Sequence, residues 1–145
     1  MKRIILSLLV LLLLVGCGHS NDNKDIKKFS CTKTISDSIS NVSYEINGEY
    51  QNNSLVKIES NSKMTFTSEG LDNLYIFKSY AESTKDEYNK KSGVEATIVS
   101  NDKEINLNIK YDVLNMTREE IINNNFDRDY NDLIKIYQSD EYTCK

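Results

Sequence analysis

The segment from residue 42 to residue 67 reads VSYEINGEYQNNSLVKIESNSKMTFT. β-Branched and aromatic residues recur on both sides of Asn52-Asn53, and a pair of turn-forming residues between two such runs is typical of an antiparallel hairpin. We therefore expect strands at residues 42–50 and 55–67. This hairpin is the starting point for the rest of the fold.

A competing hairpin signal, Asn47-Gly48, lies inside the first of these runs. A turn at this pair leaves only residues 49–51 before the next turn, which is too short for a useful strand. We therefore expect the strand to continue, with a bulge or kink at Gly48.

The rest of the chain extends the hairpin into an α+β fold. Further runs alternate apolar with polar residues, as strands do, or repeat apolar residues at helical spacing. Thr117 and Glu120 have the spacing of a capping box, which marks a helix start. The order βββ-α-ββ-αα predicts an antiparallel sheet of about five strands with helices packed on one face. The strands are expected at residues 29–39, 42–50, 55–67, 94–98 and 105–111, and the helices at residues 71–91, from 117, and at 129–139.

Residues 1–16 predict export from the cell. Lys2 and Arg3 precede an apolar run over residues 4–15, which is the layout of a secretory signal peptide. A membrane-spanning helix needs about 20 apolar residues, so this run is too short to remain as a span. We expect residues 1–16 to be removed.

The end of the apolar run, Leu14-Val15-Gly16-Cys17, resembles the lipobox of bacterial lipoproteins. The resemblance implies a diacylglyceryl group on the Cys17 thiol, cleavage before Cys17, and in many bacteria a further acyl chain such as palmitate. Two or more acyl chains hold a protein stably on a bilayer. The expected location is therefore the extracytoplasmic face of the cell membrane, with the lipid bilayer as partner of Cys17. An ordinary cleavage site is the alternative.

The mature chain is expected to be a short tether followed by one domain. Residues 17–28 are polar and lack periodicity, which indicates a flexible tether, and residues 29–145 suit a single domain. Removal of Lys2 and Arg3 takes the formal net charge from -4 to about -6. At this acidic balance we expect no nucleic-acid partner.

Cys31 and Cys144 are the other two cysteines of the chain. Disulfides persist outside the cytoplasm, so we expect these two residues to be bridged if Cys17 carries lipid. The bridge would close a loop over nearly the whole domain, which chain-entropy arguments value at about 4 to 5 kcal/mol. A reactive thiol or metal pair is the alternative, but it lacks C-x-x-C spacing and a nearby histidine.

With these cysteines placed, the mature chain also resembles small lipoproteins of Gram-positive bacteria related in layout to the YehR-like family. The resemblance rests on Cys31 within Phe-Ser-Cys-Thr-Lys, a β-meander, a tyrosine-rich helix, a hairpin and a Tyr-Thr-Cys-Lys ending. It implies the same fold and disulfide. It implies no activity for any residue of this chain.

We expect no catalytic residue, no metal and no cofactor, because no set of residues has the spacing of a known site. His19, the single histidine, lies in the tether. The run that starts at Asp127 begins like a calcium loop, but Asp132 and Gln138 stand where the loop requires Gly and Glu. An acid-rich helix start explains the run without a metal.

Two classes of function remain open. The leading hypothesis is a non-enzymatic module that binds a protein, peptide or polymer of the cell envelope near the membrane. The rival is a small envelope hydrolase that uses two carboxylates, as glycosidases do, although the sequence brings no two of Glu119, Glu120, Asp140 and Glu141 into one pocket. A structural or accessory lipoprotein is a third possibility. The nine tyrosines suit core and edge positions, or alternatively a shallow aromatic groove.

Overall fold

The computed structural model describes residues 25–145. The predictions for residues 1–16, Cys17 and His19 therefore lie outside the described residues. Short 3-10 helices at Leu71–Asn73 and Val113–Asn115 precede the first and second α-helices. The elements in chain order are β1 (Ile26–Ser36), β2 (Ser40–Gln51), β3 (Ser54–Phe66), α1 (Leu74–Tyr88), β4 (Val94–Ser100), β5 (Glu104–Asp112), α2 (Arg118–Asn123), α3 (Tyr130–Ser139) and β6 (Thr143–Cys144).

The strands form one antiparallel sheet in the order β4-β5-β3-β2-β1-β6. Helix α1 packs on β4 and β5, and α3 packs beside β6 on the same side of the sheet. The predicted α+β class and one-sided helix packing are confirmed. The sheet has six strands rather than about five, because the chain end at Thr143–Cys144 pairs with Thr32 and Cys31.

The predicted turn between β2 and β3 is present at Asn52-Asn53. Both residues have positive φ, 51° and 65°, as a type I′ turn requires, and asparagine tolerates this conformation better than most residues. The turn also holds the start of β1, since the Asn52 N–H donates to the Asp25 carbonyl at 2.9 Å and the Asp25 N–H donates to Asn52 Oδ1 at 3.2 Å.

The domain therefore begins earlier than the sequence indicated. Ile26 pairs with Gln51, so β1 starts three residues before the expected domain boundary at Phe29. Part of the expected tether, residues 17–28, is strand. The physical reason is that the turn lets β2 run to Gln51, and backbone groups that face a paired strand gain hydrogen bonds.

The predicted bulge or kink at Gly48 is wrong, because the extra residue of the irregularity is Val56 on β3, opposite Glu49 and Tyr50. Gly48 pairs with Phe29 and Ile58, and the register shift falls between Glu49 and Tyr50. The Phe29 ring lies directly over Gly48, where an added Cβ would sit 2.1 Å from Phe29 Cε1. Glycine is needed here because a side chain approaches closely.

The core lies between the sheet and its helices. Leu133 of α3 is 1% exposed and contacts the same buried cluster as Phe29 and Ile58. Aromatic rings fix α1 on the sheet at its two ends, with Phe77 at 5.5 Å from Phe66 and Tyr88 at 6.2 Å from Tyr111 between ring centroids. Each helix therefore contributes one apolar stripe to a shared interior.

The helices begin and end close to the predicted positions. The expected helix over residues 71–91 starts as a 3-10 turn and is α-helical from Leu74 to Tyr88. The capping box of Thr117 and Glu120 is confirmed at the start of α2. Within residues 25–145, none of the helices is long and apolar enough to cross a membrane.

Asn89, just after α1, covers part of the β4 edge. Its Nδ2 donates to the Ala96 carbonyl at 3.0 Å and its Oδ1 accepts from the Ala96 N–H at 2.7 Å. One side-chain amide thus satisfies both backbone groups that point away from β5, in the way that a neighbouring strand would. Covered edges are less prone to pair with another chain.

The chain end is fastened to β1 by a disulfide and by polar contacts. Cys31 and Cys144 lie opposite each other with their Cα atoms 4.0 Å apart and are bridged, and Cys31 is fully buried. Lys33 Nζ donates to the Asp140 carbonyl at 2.8 Å and pairs with Glu141 at 3.3 Å. The bridge joins residues 113 positions apart, so it closes almost the whole domain.

Replacing both bridged cysteines, Cys31→Ala with Cys144→Ala, is expected to lower the free energy of unfolding by about 2 to 5 kcal/mol. The loss arises because the unfolded chain regains the freedom that the long loop removes. Urea unfolding followed by circular dichroism measures it. Cys17→Ala is the matched control and is expected to leave the transition unchanged. A double variant as stable as the parent would contradict the assigned role of the bridge.

Candidate functional site

The sheet surface opposite the helices, called the outer face below, has no helix packed on it within the described residues. Side chains alternate between the two faces of a strand, so the neighbours of the buried residues Ile46, Ile58 and Ile109 point outward. These neighbours are charged or carry amides. On β2, β3 and β5 the outer-face residues include Glu45, Asn47, Glu49, Lys57, Glu59, Asn61, Lys63, Asn106, Asn108 and Lys110.

Charges of opposite sign stand opposite one another across the strands of the outer face. Glu49 pairs in register with Lys57, and Lys110 has Glu59 on one side and Glu95 on the other. Opposite charges across neighbouring strands favour the register, whereas like charges oppose it. The outer face therefore presents both signs side by side.

Ion pairs on the outer face are partly exposed to solvent. Such pairs contribute only about 0.2 to 1 kcal/mol each, because water competes for both partners. A ligand can therefore displace one partner of such an ion pair at a small cost in free energy. The pairs are Lys28–Glu49 at 3.3 Å, Lys57–Glu59 at 3.9 Å and Lys63–Glu104 at 2.9 Å.

Glu49 is held in its ionised form. Gln51 Nε2 donates to Glu49 Oε1 at 3.0 Å, and this bond, together with Lys28, lowers the pKa of the Glu49 carboxyl. The bond from Lys63 lowers the pKa of Glu104 on the same face. A general acid in a glycosidase needs a raised pKa instead. Glu49 is therefore suited to accepting hydrogen bonds and pairing with cations.

Two shallow depressions on the outer face share Glu49 and Lys57. Their volumes are about 590 Å³ and 410 Å³, within the range of about 300 to 1,000 Å³ that ligand sites occupy. Val56 and Leu114 add apolar surface to the larger one, whereas Asn47 lines the smaller one. Together they can hold an extended polar ligand that carries a few apolar groups.

Two amides at the centre of the outer face have unused hydrogen-bonding capacity. The side-chain oxygens of Asn61 and Asn106 are buried and have no hydrogen-bond partner within residues 25–145. The neighbouring Asn108 does have one, since its Nδ2 donates to Glu59 at 3.1 Å. An unsatisfied buried acceptor costs about 1 to 3 kcal/mol.

Among the acids that suggested a calcium loop, Asp129 caps a helix and Asp132 forms an ion pair. Asp129 Oδ1 accepts from the Asp132 N–H at 2.9 Å at the start of α3, and Asp132 pairs with Lys135 at 3.0 Å. Glu120 accepts from the Thr117 N–H at 3.0 Å at the start of α2. Across residues 25–145 the structure has no cluster of three or more histidine, cysteine, aspartate or glutamate side chains placed to hold a metal.

The other carboxylates considered from the sequence have separate surroundings. Glu141 pairs with Lys33 at the end of α3, and Asp140 is the exposed residue that ends this helix. Glu119 is exposed in the first turn of α2. The structure thus gives these carboxylates local roles at helix ends.

Most of the tyrosines pack between the sheet and the helices. The Tyr50 hydroxyl donates to the Arg128 carbonyl at 2.9 Å, and its ring lies 5.5 Å from that of Tyr130. Tyr75 and Tyr80 on α1 differ, with 81% and 68% of their surface exposed. The packed tyrosines form the core and its rim, whereas charged and amide side chains line the outer face. The packed ones are Tyr44, Tyr50, Tyr88, Tyr111, Tyr130, Tyr137 and Tyr142.

The sequence contained part of the signal for the outer face. Polar residues occupy every second position of β2, β3 and β5, which is typical of a sheet with one solvated face. The strand predictions rest on the apolar half of this alternation, and the polar half is the signal for the outer face that they leave unused. Which polar residues become neighbours depends on strand order, and β5 lies next to β3 although α1 and β4 separate them in the chain.

Comparison with known proteins adds little to these observations. No protein-family model matches the chain, and no curated protein matches it. The chain is similar to an NMR structure of a protein from Streptococcus pneumoniae TIGR4, with 12% sequence identity, a TM-score of 0.49, and coverage of 88% of this chain and 90% of that chain.

Burial makes the tyrosine core sensitive to alkaline pH. Burial, and secondarily the neighbouring Tyr142, raises the pKa of Tyr137 to about 12 from the usual 10.0. Because the folded pKa is the higher one, this contribution to stability is complete below pH 10 and is lost as the pH rises toward 12. Burial also raises the pKa values of Tyr50 and Tyr111.

Tyr137→Phe is therefore expected to make the loss of stability between about pH 10 and pH 12 shallower, by up to about 2 kcal/mol. Urea unfolding at a series of pH values measures this difference. Tyr75→Phe, at an exposed position, is the control and should leave the profile unchanged. An equally steep decline in the Tyr137→Phe variant would refute the proposed burial effect.

Proposed function

We propose that this chain is a membrane-anchored extracytoplasmic lipoprotein whose domain binds a protein, peptide or polymer of the cell envelope through the outer face. The observation that carries the proposal is the outer face itself. It is a polar sheet surface without a packed helix within residues 25–145, and it holds the two joined depressions at Glu49 and Lys57. The proposed role is non-enzymatic.

The proposed anchor is supported by the sequence around Cys17 and by the use of the other cysteines. Leu14 to Cys17 follow the lipobox pattern at the end of an apolar run. Cys31 and Cys144 form a disulfide, and structural disulfides are typical of proteins outside the cytoplasm. Both features favour the same extracytoplasmic location.

The chemistry of the outer face favours a polar ligand that is uncharged or carries both signs. A strongly charged polymer would meet like charges at every second position, since Lys57 and Lys110 alternate with Glu49, Glu59 and Glu95 across the strands. The amides at the centre offer both donors and acceptors. Peptides and amide-bearing sugar polymers have matching groups.

Binding is favoured over hydrolysis by the state of Glu49 and by the shape of the surface. A carboxylate hydrolase would need one acid with a raised pKa beside an ionised partner. Glu49, which lines both depressions, has a lowered pKa and an ion pair with Lys28. The depressions are also open to solvent, so water would surround any ligand bound there.

The anchor is tested by the intact mass of the protein isolated from its native host. We expect a chain that starts at Cys17 and carries a diacylglyceryl group, with two thiols that are alkylated only after reduction. Cys17→Ser should abolish the lipid mass and release the protein from the membrane fraction, whereas Cys144→Ser should keep the lipid. An unlipidated wild-type chain would remove the proposed anchor.

The binding surface is tested by titrating isotope-labelled protein with cell-wall polymer fragments and envelope peptides from the host. We expect NMR shift changes at the outer-face residues of β2, β3 and β5. Lys57→Glu should weaken binding about fivefold or more, which corresponds to about 1 kcal/mol, because it replaces the cation that lines both depressions by an acid. Lys90→Glu, an equal charge change after α1, should have no effect. Shift changes confined to the helices, or none with either probe, would exclude the outer face.

A further inference from the structure

One end of the domain, called the tether end below, combines the start of β1 with exposed aliphatic side chains. Leu114 is 72% exposed and Ile122 is 50% exposed. Leu114 lies beside the β2–β3 turn that holds Asp25, because it lines one depression of about 350 Å³ with Asn53. Ile121 lines the same depression, and Ile122 follows it in α2. The first described residue and these aliphatic side chains therefore share one end of the sheet.

The number of residues between Cys17 and Asp25 limits how far Cys17 can lie from this end. Eight residue steps separate Cys17 from Asp25, and an extended chain covers at most about 3.3 to 3.6 Å per step, or about 28 Å. The opposite end of the sheet lies much farther away. β3 runs from Ser54 to Phe66, and twelve steps of about 3.3 Å make about 40 Å.

We propose that the tether end rests on the lipid bilayer, with Leu114 and Ile122 inserted at the interface between headgroups and acyl chains. The inference rests on the proposed lipid anchor at Cys17. Two aliphatic side chains alone bind a membrane weakly, but a short tether makes the contact intramolecular and keeps the effective concentration of the bilayer high. The bilayer is thus the partner that the geometry places within reach.

A second exposed apolar set lies on α1 and is a natural comparison. Tyr75, Ile76 and Tyr80 are 81%, 51% and 68% exposed. They lie near the opposite end of the sheet, where Phe77 packs on Phe66 at the end of β3. A domain that stands on its tether end holds this set away from the bilayer.

The contact is apolar rather than electrostatic. Among the charged residues that line a depression with Leu114 or bond to the β2–β3 turn, acids outnumber bases by five to four, and the whole chain has a formal net charge of -4, so anionic headgroups weakly repel this end of the domain. The acids are Asp25, Glu49, Glu95, Asp112 and Asp127, and the bases are Lys27, Lys57, Lys110 and Arg128. Zwitterionic lipid should therefore support the contact better than anionic lipid does.

This orientation also determines where the proposed binding surface lies relative to the membrane. Leu114 lines the larger depression of the outer face together with Gln51 and Val56. With Leu114 at the bilayer, the outer face stands upright and its larger depression opens just above the headgroups. A ligand bound there lies close to the membrane surface.

The chain has no tryptophan, so single-tryptophan variants report their own positions. Leu114→Trp and Ile122→Trp, with Ile76→Trp as control, are made in the lipidated full-length protein and bound to phosphatidylcholine vesicles with brominated acyl chains. We expect the fluorescence at positions 114 and 122 to fall at least about twofold relative to vesicles without bromine. The control should change little, and circular dichroism verifies that each variant is folded.

The outcomes separate the anchor from the orientation. Protein that pellets with vesicles while positions 114 and 122 remain unquenched, or while position 76 is quenched as strongly, overturns the inference and leaves the anchor intact. Protein that carries no lipid and fails to pellet overturns both. Replacing a third of the lipid by phosphatidylglycerol should reduce quenching at 114 and 122, and an increase would assign the contact to charge and overturn the apolar one.

Discussion

The register between β2 and β3 is the constraint on which the rest of the structure depends. It is fixed by a two-residue turn in which Asn52 and Asn53 both have positive φ. A shift of one residue would exchange the two faces of every paired strand. With the observed register, Ile46 and Ile58 face the helices, while Glu49 and Lys57 face away from them.

The same register also brings together the residues that stabilise the helix-facing side of this small domain. Phe29 packs over Gly48 and is surrounded by Tyr50, Tyr130 and Tyr137. The disulfide then fixes the last strand to β1, and Asn89 covers part of the opposite edge of the sheet. Apolar burial thus stabilises the centre of the sheet, the disulfide stabilises one edge, and Asn89 covers part of the other edge.

We propose that this protein functions through the outer face, which is the side of the sheet that the helices leave uncovered. An antiparallel sheet can bury one face and solvate the other, and here the solvated face carries paired charges and amides rather than scattered polar residues. The exposed Leu114 lies at the end of that sheet where the described chain begins. In the proposed arrangement, the orientation on the bilayer and the binding surface both derive from the strand geometry.

The sequence by itself determined the local features of this protein. Period-two alternation, the Asn52-Asn53 turn and the capping box at Thr117 depend on neighbours in the chain, so the α+β class and the order of the elements could be predicted. The lipobox expectation at Cys17 also rests on a local motif, and it stays a prediction.

Only the tertiary structure decided the features that depend on distant residues. The start of β1 at Ile26, the close approach at Gly48 and the sixth strand at Cys144 require partners from other parts of the chain. The outer face is the clearest case, because strand order brings Lys57 on β3 beside Asp112 on β5. Hydrogen bonding between strands sets that order, and a linear pattern does not record which strands will pair.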